Sequence, residues 1–317
     1  MSHQIGVSNT EASNADSCEL AWGFGFHPDM NFQLRDMGEA RVRGIIGHEA
    51  LEIFYKSLQQ GESYDVSKAN ALAHIQQLRV KELLAGEFAD LKRITILNYL
   101  YDILKLYFET NRSDVENWEI LEVEGFHAQE QTGEVDFYLP SRLDLVVYHK
   151  RGPFAGETSP VDHKFTYDFW NEWKLKLNAQ FPLYILALRA TRYAGKPEPV
   201  VRRVIVNQFR TRKLKDPQVE DLLKRDVQAY ESDFIESVFA NHMKKAVRLA
   251  YLKRLPWDEA VTEMKASLGS MNCQYCDFKE LCLATFEGRD PKNAIDAMYK
   301  RNEYGYPPLE EIRRERG

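Results

Sequence analysis

The chain reads as a mixed α/β protein of the α+β kind, a small mixed sheet flanked by helices. Three observations predict it. Short runs rich in β-branched and aromatic residues fall near 118–127, 133–139, 142–149, 158–165 and 201–209. Long helical periodicities precede them, and further helical patterns follow. With 317 residues, 44% of them hydrophobic and 28% charged, there is ample material for a core. We expect one domain over 1–317: an N-terminal segment 1–42, a core 43–215 with a helical insertion at about 61–112, and a helical C-terminal part 216–317.

The Ser-, Asn- and Ala-rich residues 1–17 are expected to be flexible up to Cys18. Helices are predicted at about 43–60, 66–85 and 91–110, the last two covering one side of the core. In the first, Ile46, Ala50, Ile53 and Phe54 form the apolar stripe and His48 is offset from it. The runs Leu143–Tyr148 and Pro160–Phe165 form neighbouring strands around the loop Lys150-Arg151-Gly152-Pro153. Asn171 to Tyr193 has a helical pattern that puts Gln180 and Tyr184 on one face. Asp216-Pro217 reads as a cap followed by Pro at the first helical position. From there Val219, Leu222, Leu223, Val227, Tyr230, Phe234 and Val238 recur at helical spacing. Asp290-Pro291 opens a last helix to about Arg301, followed by an extended tail at Tyr304–Pro308. The sequence carries no internal repeat, phosphate-cradling glycine loop or helicase motif.

A net charge of −6 argues against indiscriminate coating of nucleic acid. Local sign differs, because Arg202, Arg203, Arg210, Arg212, Lys213 and Lys215 crowd into one short stretch. They suit phosphate contacts or, equally, a charge-guarded strand edge. No apolar run approaches the roughly 20 residues of a bilayer span, and the N-terminus lacks a targeting pattern. A cytoplasmic protein is expected.

The chemistry sits in Arg142-Leu143-Asp144 and Asp162-His163-Lys164. Carboxylates on adjacent strands hold a hard divalent cation, and a lysine offsets charge on an attacked phosphate; metal-dependent phosphodiester cleavage needs that set. Each tripeptide alone also suits an ordinary hairpin surface, and Gln180 and Tyr184 an ordinary helix surface. Phe165, Tyr167, Phe169, Trp170 and Trp173 follow Lys164 closely. One or two of these rings are expected to stack bases of a single strand, and the rest to pack in the core.

Four cysteines form a separate signal: Cys18, and then Cys273, Cys276 and Cys282 as C-x₂-C-x₅-C. That spacing reads as metal or cluster ligation, and Cys18 is the remaining thiol that completes a four-sulfur set. A zinc site of Cys₄ type, or of Cys₃His type with His27, is one form of it. Either form ties the two ends of the chain together as a structural staple.

In order, Gly44 to His48 as G-x-x-x-H, a strand ending near Glu124, Arg142-Leu143-Asp144, Asp162-His163-Lys164-Phe165-Thr166 and Gln180-x-x-x-Tyr184 resemble the PD-(D/E)XK nuclease superfamily, especially its RecB-like branch. The resemblance departs at Ser141, where Gly is common. It implies a restriction-endonuclease-like core. By it His48, Asp144, Asp162 and the backbone carbonyl of His163 hold Mg²⁺ or Mn²⁺, with Lys164 as catalytic lysine. Glu124 would bind a second metal or orient the first. Gln180, Tyr184 and Arg142 would face DNA.

The cysteine pattern is similar to that of the cluster-bearing exonucleases, the AddB-type nuclease domain and the Cas-four family. It implies a [4Fe–4S] cluster on Cys18, Cys273, Cys276 and Cys282, although Glu19 stands where Pro commonly follows the first Cys. The function implied is a DNA exonuclease acting on single-stranded ends in recombination, repair, phage replication or CRISPR adaptation. Its partners would include a helicase or recombination and adaptation proteins. A non-catalytic DNA-binding accessory module and a zinc-stapled interaction protein are the alternatives.

Overall fold

The computed structural model describes residues 5–36, 38–86, 90–269, 271–302 and 306–316. In chain order the first elements are β1 (Ile5–Gly6), α1 (Asn9–Ser17), α2 (Glu19–Phe26), β2 (Phe32–Leu34), α3 (Glu39–Gln59), α4 (Tyr64–Leu84), α5 (Leu91–Thr110) and α6 (Asp114–Asn117). There follow β3 (Trp118–Gln131), β4 (Phe137–His149), β5 (Thr158–Thr166), α7 (Glu172–Lys176), α8 (Gln180–Arg189), β6 (Arg203–Arg210), α9 (Val219–Leu222) and β7 (Leu223–Ala229). The last are α10 (Ser232–Arg254), α11 (Trp257–Glu263), α12 (Met271–Gln274), α13 (Lys279–Phe286), α14 (Lys292–Met298), β8 (Tyr299–Arg301) and α15 (Leu309–Arg316).

The expected mixed sheet flanked by helices is present. Its strand order is β1-β4-β5-β6-β7, with β3 also paired to β4. β4 and β5 are antiparallel, β5 and β6 parallel, and β6 and β7 antiparallel. The chain divides into two compact units, one of residues 38–125 and 142–235, the other of 1–37, 126–141 and 236–317.

In the first unit, strand alternation sorts the side chains. Ile205 and Phe209 of β6, with Val161 of β5, pack against Ala50, Leu51 and Phe54 of α3 and Leu97, Leu100 and Leu104 of α5. Val204 and Val206 point the other way, to Phe181, Ile185 and Leu188 of α8. The same period of two places Asp162 and Lys164 on the α8 side and His163 on the α3–α5 side.

In the second unit, Val7, Trp22, Phe24, Phe32, Phe137, Leu139, Leu249, Leu252 and Tyr299 form a core of their own.

Four expectations need correction. The N-terminal segment is ordered from Ile5: β1 pairs with Phe137 and Tyr138, and Ser8 and Glu11 form a reciprocal capping box on α1. The signal was Ser8-Asn9-Thr10-Glu11, a capping-box sequence. The helix expected from Asp216 lasts only through α9; the chain then pairs with β6 as β7, and helix resumes at Ser232. Leu223 and Val227 fit a strand alternation as well as a helical stripe, and pairing along β6 decides between them. Asn171–Tyr193 breaks into α7 and α8, and the last predicted helix ends at Met298, where β8 pairs with β2. Of the expected tail, Tyr304 and Gly305 lie outside the described residues.

Candidate active site

Five elements of the first unit, α3, β3, β4, β5 and α8, bring polar groups to the same place. α3 carries His48 and can lie close to β5 because Gly47 stands where any Cβ would fall 2.2–2.6 Å from ring atoms of Phe165. Gly44 of the G-x-x-x-H motif has open space instead. β3 carries Glu124, whose backbone takes the left-handed conformation at φ +54°. A non-glycine residue adopts that conformation only where its surroundings hold it, and here it falls within β3.

Asp144 Oδ2 accepts a hydrogen bond from the His163 N–H at 2.7 Å and lies 3.5 Å from His48 Nδ1. His48, Glu124 and Asp144 bring ligand atoms within 4.8 Å of one another, alone in doing so among the described residues. Burial raises the Glu124 carboxyl to about 8, reinforced by Asp144, although Arg142 Nε lies 2.6 Å from it. Burial also works against charge on Asp144, but His48, His163 and Lys164 outweigh it and hold that group below the usual carboxylate range. One imidazole and two crowded carboxylates are a donor set that a divalent cation fits, because a cation relieves the repulsion between the carboxylates.

A second chain of groups runs beside the first. Lys164 Nζ donates to Asp162 Oδ1 at 2.9 Å and to Gln180 Oε1 at 3.2 Å, and Gln180 Nε2 donates to the Tyr184 hydroxyl. Asp162 is 1% exposed, and its Oδ2 receives no well-formed hydrogen bond despite lying 2.9 Å from the ammonium. Burial pushes Asp162 up to about 6 against the pull of Lys164. The structure thus separates the expected metal ligands: Glu124 joins His48 and Asp144, whereas Asp162 faces the lysine.

The His163 ring is buried on the α3–α5 side, edge-on to His48 at 6.4 Å and stacked on Tyr55 at 5.8 Å, and burial lowers it to about 3. Behind it lies a polar network that the sequence did not reveal. The Tyr55 and Tyr107 hydroxyls meet at 2.6 Å, Asn207 Nδ2 donates to Tyr107, and Arg225 Nε donates to Asn207 Oδ1 at 2.7 Å. Arg225 also grips Asp114 with two hydrogen bonds, at 2.8 and 2.7 Å. These residues are scattered from position 55 to 225, and no local pattern announces them.

In the second unit, Cys18, Cys273, Cys276 and Cys282 line one cavity of about 740 Å³. Ser267 joins two of them: its N–H points to Cys18 Sγ at 3.5 Å, and its carbonyl lies 3.3 Å from Cys273 Sγ. The Phe278 N–H points to Cys276 Sγ at 3.4 Å. Burial raises the Cys276 and Cys282 thiols, and the neighbouring sulfurs add to it. No disulfide joins the four. His27 is not among them: its Nε2 faces the Leu252 and Leu255 carbonyls, and its Nδ1 accepts the Asp29 N–H. Backbone groups occupy both of its nitrogens, so it is unavailable as a fourth ligand.

No helix among the described residues is long and apolar enough to cross a membrane. No curated protein matches the chain in sequence. The sequence pattern of the PD-(D/E)XK nuclease superfamily matches residues 7–283, a span that runs from before Cys18 to beyond Cys282 and includes every group described above. The chain belongs to the PD-(D/E)XK nuclease superfamily.

Proposed function

We propose that this protein is a metal-dependent DNA exonuclease that acts on single-stranded ends. The observation that carries the reading is the His48–Glu124–Asp144 set lying beside the Asp162–Lys164–Gln180 chain. His48, Glu124, Asp144 and the backbone carbonyl of His163 would hold Mg²⁺ or Mn²⁺, with Asp162 available once its contact with Lys164 loosens. An imidazole ligand favours Mn²⁺. When bound, the cation supplies Lewis acidity toward the phosphate and a water of lowered pKa.

The protein's own groups supply the rest. Asp162 and Gln180 aim the Lys164 ammonium, which offsets negative charge developing on the phosphate. Gln180 and Tyr184 hydrogen-bond the strand, and Arg142, half exposed beside Glu124, meets a phosphate. Retention of both Asp162 and Lys164 favours catalysis over a DNA-binding module that merely keeps the fold.

The cysteines are assigned a [4Fe–4S] cluster with a structural role. The four sulfurs share one cavity, and an early cysteine joined to a late C-x₂-C-x₅-C is the pattern that supports the cluster over zinc.

The test is digestion of 5′- and 3′-labelled single and double strands with Mg²⁺, Mn²⁺ or EDTA. Stepwise shortening of single strands with either cation and none in EDTA is expected. Intact DNA in all conditions would overturn the reading.

A further inference from the structure

The segment after Lys164 is built unlike a structural loop. Its first and third rings are anchored: Phe165 stacks on Phe209 at 4.5 Å and 12°, and Arg210 covers Phe169 at 4.2 Å. Tyr167 and Trp173 are not, being 65% and 69% exposed. Large apolar rings left in water are costly, and these two fall within nine residues of Lys164 in sequence. Tyr167 lines an open cavity of about 500 Å³ formed by residues 166–171 and 174, and Trp173 directly precedes the last of these in sequence.

The charge around the rings has one sign in excess. Arg210 and Arg212 both reach the single carboxylate of Asp168, at 3.8 and 3.3 Å, so one positive charge is left over. Arg212 also lies over the Tyr167 ring at 5.8 Å, and Lys174 over Trp170 at 4.3 Å. Lys164 itself lies 5.7 Å from the centroid of Trp170, which ties this surface to the candidate site. The loop is also held in shape. The buried Gln208 accepts the Trp170 N–H at 2.6 Å, and the Thr166 carbonyl accepts the Thr211 N–H at 2.7 Å. A surface fixed in advance loses little entropy when it binds.

We infer that this loop is a stacking platform for single-stranded nucleic acid, with Tyr167 and Trp173 each holding an unpaired base and Arg212 and Lys174 meeting the flanking phosphates. The inference rests on the nuclease reading and names the groups that would select its single-stranded substrate. Every base offers a π-face, so the platform is indifferent to sequence. Paired bases hide those faces inside a duplex, so it selects unpaired strands.

Binding of a fluorescein-labelled oligothymidine, followed by anisotropy in EDTA, tests it without cleavage. Tyr167→Ala and Trp173→Ala should each weaken binding about tenfold, while Tyr167→Phe keeps the wild-type affinity. An abasic strand of equal length should bind wild type as weakly as the double alanine variant binds the base-bearing strand. That variant should not distinguish the two strands. Equal affinity of wild type for base-bearing and abasic strands, or unchanged binding by both alanine variants, would overturn the platform. If wild type binds as expected but cleaves nothing with Mg²⁺ or Mn²⁺, the nuclease reading falls and the platform stands.

Discussion

At the scale of single residues, Asp162 and Lys164 could be placed together from sequence because strand alternation puts residues two apart on one side of β5, and Asp144 was marked by the Arg142-Leu143-Asp144 motif on β4. Glu124 was expected to bind a second metal or orient the first, whereas its closeness to His48 and Asp144 was not legible. Its left-handed backbone turns the carboxylate toward His48 and Asp144, and no residue type signals that turn. His149 was invisible too. It is buried, lies 3.0 Å from the Ser159 hydroxyl, and burial together with Arg203 and Arg225 lowers it to about 4. An unfolded histidine titrates near 6.5. Between those values the unfolded chain binds a proton that the folded one refuses, so stability rises with pH across this window. The contribution is complete above about 6.5 and is lost as pH falls toward 4. Urea midpoints at pH 7.5 and pH 5 should therefore differ more in wild type than in His149→Gln. An equal acid loss in both proteins would contradict the assignment.

At the scale of elements, helix α3 shows what a motif hides. Gly44 and His48 define the visible pattern, yet Gly47 makes the close packing, since a Cβ there would meet the Phe165 ring. Its meaning emerges only when α3 and β5 are brought together. Replacing Gly by Ala in a helix gains up to about 1 kcal/mol from propensity. Overpacking a tight contact costs about 1–3 kcal/mol. Gly44→Ala should therefore raise the melting temperature, and Gly47→Ala should lower it while disturbing His48. The same direction in both variants would mean that the contact yields easily. Strand β7 carries the complementary lesson. Its apolar spacing satisfied a helix, and only the open edge of β6, a feature of the assembled sheet, turns it into a strand. Helices α3, α4 and α5 were legible because twenty or so residues of consistent period leave little ambiguity.

At the scale of the whole molecule, Cys18 and Cys273 to Cys282 lie at opposite ends of the sequence and line one cavity. A ligand binding all four closes a very long loop, which restricts the unfolded chain. Anaerobically purified protein is expected to be brown and to contain iron and sulfide. Cys18→Ala should bleach it as fully as Cys276→Ala does and lower its melting temperature. Stoichiometric zinc in a colourless protein would replace the cluster but keep the staple; a fully loaded Cys18→Ala protein would break the staple. In the other unit, His48, Glu124 and Asp144 stand beside Lys164. The most direct test is single-turnover cleavage of an end-labelled single strand in saturating Mn²⁺ by wild type, Asp144→Ala and Lys164→Ala. Both variants should fold, and each should cleave at least ~100-fold more slowly than wild type. Cleavage by Asp144→Ala or Lys164→Ala at the wild-type rate would contradict the account.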